Sequence, residues 1–196
     1  MNIIRRILRS ISYRTARCLH TVMKPRTFGF RRNFQGDKLH HFSLGNTTFI
    51  DHKDNLIIRD RVYIGHHNFI EASNGIELGE GVQVTDFVSI TTHSSHNSIR
   101  LYGRHYSDFQ ELKGYEKGPV SIGSFTFVGP HSVIMPGTKI GKGCIVKAFS
   151  YVKGEFPDFS IIGGNPATIC GDLRSHDKAL LGKYPDLNDF YKEWAE

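Results

Sequence analysis

Acidic residues are absent from the first 32 positions of this 196-residue chain, which hold Arg5, Arg6, Arg9, Arg14, Arg17, Lys24, Arg26, Arg31 and Arg32. Long apolar runs are absent everywhere: no stretch reaches the 18 or so residues that a spanning helix needs. Cysteine is scarce. Cys18, Cys144 and Cys170 are odd in number and form no C-x-x-C, which argues against a disulfide framework or a zinc–thiolate site and suits a reducing cytoplasm. A net charge of +6 invites a nucleic-acid reading. Much of that charge sits at the front, however, and the remainder of the chain is mixed in sign without a recognised motif, so no nucleic-acid partner is expected.

The acid-free front has a pattern of its own. Ile4, Ile7, Leu8, Ile11, Cys18, Leu19 and Val22 recur near helical spacing and stop before Pro25. The segment 1–35 therefore reads as a basic amphipathic element whose helix falls in residues 1–24. Arginines interrupt any apolar signal core and no small-residue cleavage site follows, so a secretory signal is a poor match. A helix of this kind fits peripheral contact with an anionic membrane surface. It fits equally a helix packed on the domain or a neighbouring copy, and an organelle transit peptide is a third reading.

From residue 44 onward an aliphatic residue returns every six positions. The run Ile122, Val128, Ile134, Ile140, Val146 and Val152 is unbroken, and Thr126, Ser132, Thr138, Cys144 and Ser150 lie four positions after the first five of them. Earlier beats are Leu44, Ile50, Ile58, Ile64 and Ile70, then Leu78, Val84 and Ile90 after a two-residue insertion. Six fits neither an amphipathic helix nor a long alternating strand. It fits very short strands, three to a coil, with the aliphatic inside, a small residue near each corner, and Gly or Asn in the turns. Stacked coils then form a solenoid over residues 44–170. Residues 171–196 switch to helical spacing at 180, 181, 184, 187, 190, 191 and 194, which predicts a C-terminal helical cap. The beat stops over 94–118, a segment with Tyr102, His105, Tyr106, Phe109 and Tyr115. So many aromatics predict an ordered projecting loop, with His93 and His96 at its base.

The repeat resembles the hexapeptide repeat of left-handed parallel β-helix proteins, and the left hand is implied by that resemblance alone. The histidine-bearing loop, the T-H-S-S-H stretch and the ending Gly164-Asn165-Pro166-Ala167 resemble hexapeptide acetyltransferases of the maltose, galactoside and surface-polysaccharide type. That resemblance implies a homotrimer with sites between subunits, and direct transfer from acetyl-CoA to a hydroxyl of a cell-surface saccharide. It implies a cytoplasmic enzyme and a histidine base. Counting from Ile90 favours His96 for that role, with His93 orienting it. Acceptor contacts are expected from Glu71, Asp86, Tyr102 and Tyr106. Glu71 stands where galactoside-type relatives carry Asn, so it bonds a sugar hydroxyl, holds a histidine tautomer or is a solvated corner carboxylate. The positions matching the coenzyme site are Gly129, Ala148, Lys153 and Gly164 to Ala167, with Arg174 as a phosphate partner. Pro130 has no N–H to offer an oxyanion, which leaves Gly129 or another donor.

Two other function classes fit parts of the pattern. A metal-dependent relative of the carbonic anhydrases could use His66, His67, His93 and His96. Its ligand pair needs four intervening residues, however, and position 101 is Leu, so no metal is expected. A non-catalytic assembly module would make the basic N-terminus the working surface.

Overall fold

Three parallel sheets share the inward residues of the six-residue beat. The computed structural model describes residues 3–22 and 24–196, so Met1, Asn2 and Met23 of the N-terminal segment lie outside the described residues. Sheet A stacks Ile64, Val84, Val128, Val146 and Ile162 in register. Sheet B does the same with Ile50, Ile70, Ile90, Ile134 and Val152. Sheet C stacks Ile58, Leu78, Ile122, Ile140 and Phe156. The chain visits A, B and C in turn, so each circuit is one coil and each sheet is one side of a prism. From Ile64 through Val152 these stacked aliphatics are almost wholly buried. A two-residue strand buries one side chain this deeply, whereas the three-residue strands of sheet C bury two, Leu56 with Ile58, Ile76 with Leu78 and Val120 with Ile122.

The small residues of the repeat close the corners. Thr126, Ser132 and Thr138 are buried, and their hydroxyls donate to the carbonyls of Gly141, Lys147 and Val152 on the neighbouring coil. Cys144 fills the same kind of slot, and burial pushes its thiol pKa up. Gly75, Gly81, Gly137, Gly143 and Gly154 take positive-φ corner positions as expected, but other corners do not follow the expectation of Gly or Asn. Arg61, His67, Phe87, Phe125, His131, Phe149 and Phe159 all adopt positive φ, near +60°. L-residues with a Cβ rarely do so, but here the rings stack. His67, Phe87, His131 and Phe149 form one ladder along the A–B corner with centroids 4.8–4.9 Å apart.

Both ends of the prism are finished by antiparallel strands on sheet A: Thr27–Arg32 pairs with Lys38–Gly45, and Ser160–Gly164 with Ala167–Asp172. The expected helices are present. Helix α1 spans Ile3–Val22, although the segment behind it continues as the strand Thr27–Arg32. Helix α2, His96–Tyr102, opens the projecting loop. Helices α3, Leu173–Lys183, and α4, Asn188–Ala195, follow the last strand. They lie against the C–A corner: Trp194 meets the rings of Phe125 and Phe159, and Lys142 Nζ donates to the carbonyls of Trp194 and Ala195. A cation on the last carbonyls of α4 offsets its negative end.

Candidate active site

The B–C corner is where the coil is irregular. Ile50 to Ile58 and Ile70 to Leu78 each run two residues over the beat, and Ile90 to Ile122 carries the projecting loop. Along this corner one coil is 20 residues, since Ile70 pairs with Ile90 and Glu71 with Thr91. Glu71 and Ser73 therefore lie one coil below Thr91 and His93.

Glu71 is buried, and its carboxylate is saturated with donors. Oε1 accepts the Ser73 N–H at 2.7 Å; Oε2 accepts the Thr92 N–H at 3.0 Å and the Thr92 hydroxyl at 2.9 Å. Burial alone would raise its pKa, but the hydrogen bonds from Ser73 and Thr92 outweigh it and hold the value at about 2. His93 Nδ1 lies 2.8 Å from Oε2 and 3.2 Å from Ser73 Oγ. An ionised carboxylate accepts only, so Nδ1 carries the proton and Nε2 keeps its lone pair. Tyr115 stacks on the His93 ring at 5.7 Å and 11°. Asn74 ties the corner to Thr92, whose hydroxyl accepts the Asn74 N–H and whose carbonyl accepts from its amide. The result is an oriented imidazole, about three-eighths exposed, on a buried anionic base.

The projecting loop is anchored to this corner. His93 and Ser94 pair antiparallel with Lys117 and Glu116, and the Gly118 N–H donates to the Thr92 carbonyl. Ser98, wholly buried in the loop, donates to the Lys113 carbonyl. Lys153 from the last coil reaches Glu116 at 2.6 Å, a bond that lowers the Glu116 pKa and raises that of Lys153. A groove of about 510 Å³ opens beside Tyr115, lined also by Gln110, Glu111, Leu112 and Lys117. A cavity of about 710 Å³ lies instead among Phe159, Arg174, Lys178 and the C-terminal helices.

The expected site residues distribute unevenly. His96 begins α2, half exposed, with Nδ1 on Ser94 Oγ at 2.8 Å and Nε2 3.6 Å from Glu116; it has no buried carboxylate. Tyr102 is occupied inside the loop, its hydroxyl accepting the Lys113 N–H, while Tyr106 acts electrostatically on Tyr115. Asp86 is not near His93: it accepts the His66 N–H at the A–B corner, one sheet away. His66 and His67 share that corner, so they do not gather with His93. Among the described residues, no group of three or more His, Cys, Asp or Glu side chains could hold a metal ion.

The coenzyme set is split over three corners. Gly129, Ala148 and Gly163 line the A–B corner; a Cβ on Gly129 would sit 2.7 Å from the Ala148 nitrogen and the Val146 carbonyl. Gly164 and Ala167 face each other in a tight turn through Asn165 and Pro166 at the end of sheet A. Lys153 is at the B–C corner, and Arg174 lies 4.7 Å over the Phe159 ring, paired with Asp172. The Gly129 N–H is not free for an oxyanion, because it donates to the Val146 carbonyl at 2.8 Å. Sequence reasoning missed Ser73, Thr92, Tyr115 and Glu116 as partners of the histidines. The 20-residue coil length is the signal that would have joined Ser73 to His93.

Residues 119–154 match a family model described as bacterial transferase hexapeptide (six repeats), so this stretch carries that repeat. A provisionally named acetyltransferase of Staphylococcus aureus strain Mu50 is 39% identical over 82 residues, 41% of this chain and 39% of the relative. A provisionally named acetyltransferase of Bacillus subtilis strain 168 is 42% identical over 55 residues, 28% of this chain and 32% of the relative. The chain thus spans less than half the length of these relatives. Among solved structures, a galactoside acetyltransferase in complex with coenzyme A aligns at TM-score 0.45 and 20% identity, over 69% of this chain and 66% of that one.

Proposed function

We propose that the protein transfers an acetyl group from acetyl-CoA to a hydroxyl of a cell-surface saccharide or its precursor, on a left-handed coil and without a covalent enzyme intermediate. His93 is the general base. The observation that carries this reading is the contact between His93 Nδ1 and the buried, donor-saturated Glu71 carboxylate. Such a pair fixes the tautomer and stabilises the imidazolium that forms on proton transfer. His93 takes precedence over His96, the histidine that counting favours, because only His93 has that partner.

In the proposed reaction the sugar hydroxyl gives its proton to His93 Nε2 as its oxygen attacks the thioester carbonyl. The C–S bond then breaks, the acetyl ester remains on the sugar, and the imidazolium returns the proton to the coenzyme sulfur. Both substrates held in line make an acyl-enzyme unnecessary. Tyr115 and the groove beside it form the acceptor side, and the Gly129–Ala148–Gly163 line, close-packed and beside Lys147, receives the pantetheine arm.

Sheet B separates His93 from that line within one chain, so a shared site calls for a second copy. What supports self-association is the distribution of outward side chains. Sheet B presents Phe49, Phe69 and Tyr151, sheet A presents Tyr63, Phe127 and Ile145, and exposed Phe87 and Phe149 lie on the corner between. Sheet C, Ile57 apart, presents Glu77, Ser121, Lys139 and Glu155. Face A of one copy against face B of the next is a head-to-tail contact, which gives a ring where the rotation closes, and the resemblance to hexapeptide acetyltransferases supports a ring of three. The test is incubation of the purified protein with acetyl-CoA and a panel of surface glycans. Acceptor-stimulated thiol release with ester formation is expected. No stimulation by any acceptor, with no coenzyme binding in calorimetry, would sink the proposal.

A further inference from the structure

Helix α1 plays no part in the site just described, and the coil does not cover it. Every residue from Arg9 to Leu19 is exposed, including Ile11, Tyr13 and Leu19 at 56%, 69% and 52%. Most helical stability in proteins comes from packing an amphipathic face, and the exposed apolar stripe of α1 needs a partner.

The stripe and the charge say which. At about 100° per residue, Ile11, Cys18 and Leu19 fall in a wedge of about 100°. Arg14 flanks that wedge, and Arg9 and Arg17 occupy the back. Arginines at the margins of an apolar stripe can keep their guanidinium groups at the level of lipid phosphates while their stems lie on the apolar surface. Asp and Glu are absent from the helix, so nothing repels an anionic surface. The helix is also too polar to span a bilayer: none in the described residues is long and apolar enough.

We propose that α1 is an in-plane anchor for an anionic lipid bilayer, lying with the Ile11–Leu19 stripe in the acyl boundary and its arginines among phosphates. The anchor is independent of the acyl-transfer reading and serves any activity of the coil. In a ring of three, three such helices would engage one surface together and raise avidity without new contacts.

The test is flotation of the full chain with phosphatidylcholine vesicles, with and without phosphatidylglycerol. Binding is expected only with phosphatidylglycerol, weakening as salt is raised. R9Q/R14Q/R17Q should cut partitioning by roughly a hundredfold, and I11D/L19D should abolish it; melting temperatures should not change, because these side chains are exposed. Three outcomes would overturn the proposal: no binding to either vesicle, equal binding to both, or full binding by the triple arginine variant. Loss of oligomer mass on removing residues 1–24, without vesicle binding by the full chain, would assign the stripe to a helix bundle between copies instead.

Discussion

At the residue scale the account turns on Glu71. Its carboxylate satisfies three donors besides His93, and a Gln there would turn an NH₂ toward one set of N–H groups. E71Q should therefore lower stability by about 1–3 kcal/mol at neutral pH, read from denaturant midpoints. The pH dependence has a definite sign. A carboxyl held at about 2 instead of 4.5 contributes stability above about pH 4.5 and loses it as pH falls toward 2, an effect on the order of 3 kcal/mol. The gap between wild type and E71Q should narrow over that window. Tyr115 belongs to the same scale. Y115A removes the ring that stacks on His93, and about a tenfold loss of transfer rate with little change in melting is expected. The identity of these partners was only half legible. Glu71 could be read as a histidine's orienting group, but without the coil length nothing joined residue 71 to residue 93 in preference to residue 96.

Elements were more legible than partners. The inward aliphatics Ile122, Val128, Ile134, Ile140, Val146 and Val152 follow from period alone, because a two-residue strand has only one buried position. The corners followed only in part: glycines take some positive-φ sites, but at others aromatic and His side chains stand where Gly or Asn is the physical expectation, and the A–B row is stacked between coils that are distant in sequence. Two substitutions examine this scale. I134A should cost about 2–5 kcal/mol, since the side chain is wholly buried between coils. G129A should also destabilise, because its Cβ would meet backbone atoms of the next coil. Thermal melts measure both. The projecting loop is tied to the last coil by Glu116 and Lys153, and K153M should reduce loop protection in hydrogen exchange while leaving the coil amides unchanged.

For the whole molecule, the decisive feature is the separation of the His93 corner from the Gly129 corner by sheet B. Within one chain sheet B lies between them; on the proposed reading a neighbouring copy brings them together. F69D and F127D place charges on the two apolar faces and should lower the mass in sedimentation equilibrium from trimer to monomer, with loss of transfer. A trimeric wild type whose F69D and F127D variants are active monomers would place the whole site in one chain. The faces themselves are readable from sequence once the beat is set, because the residue preceding each inward aliphatic points outward; which face meets which is not.

The most direct test compares acceptor-dependent thiol release from acetyl-CoA by the wild type, H93A and H96A, with coenzyme affinity measured alongside. The account predicts a loss of roughly 10²–10⁴-fold in H93A, unchanged coenzyme affinity, and near wild-type rates in H96A. Full activity in H93A, or loss confined to H96A, would contradict it.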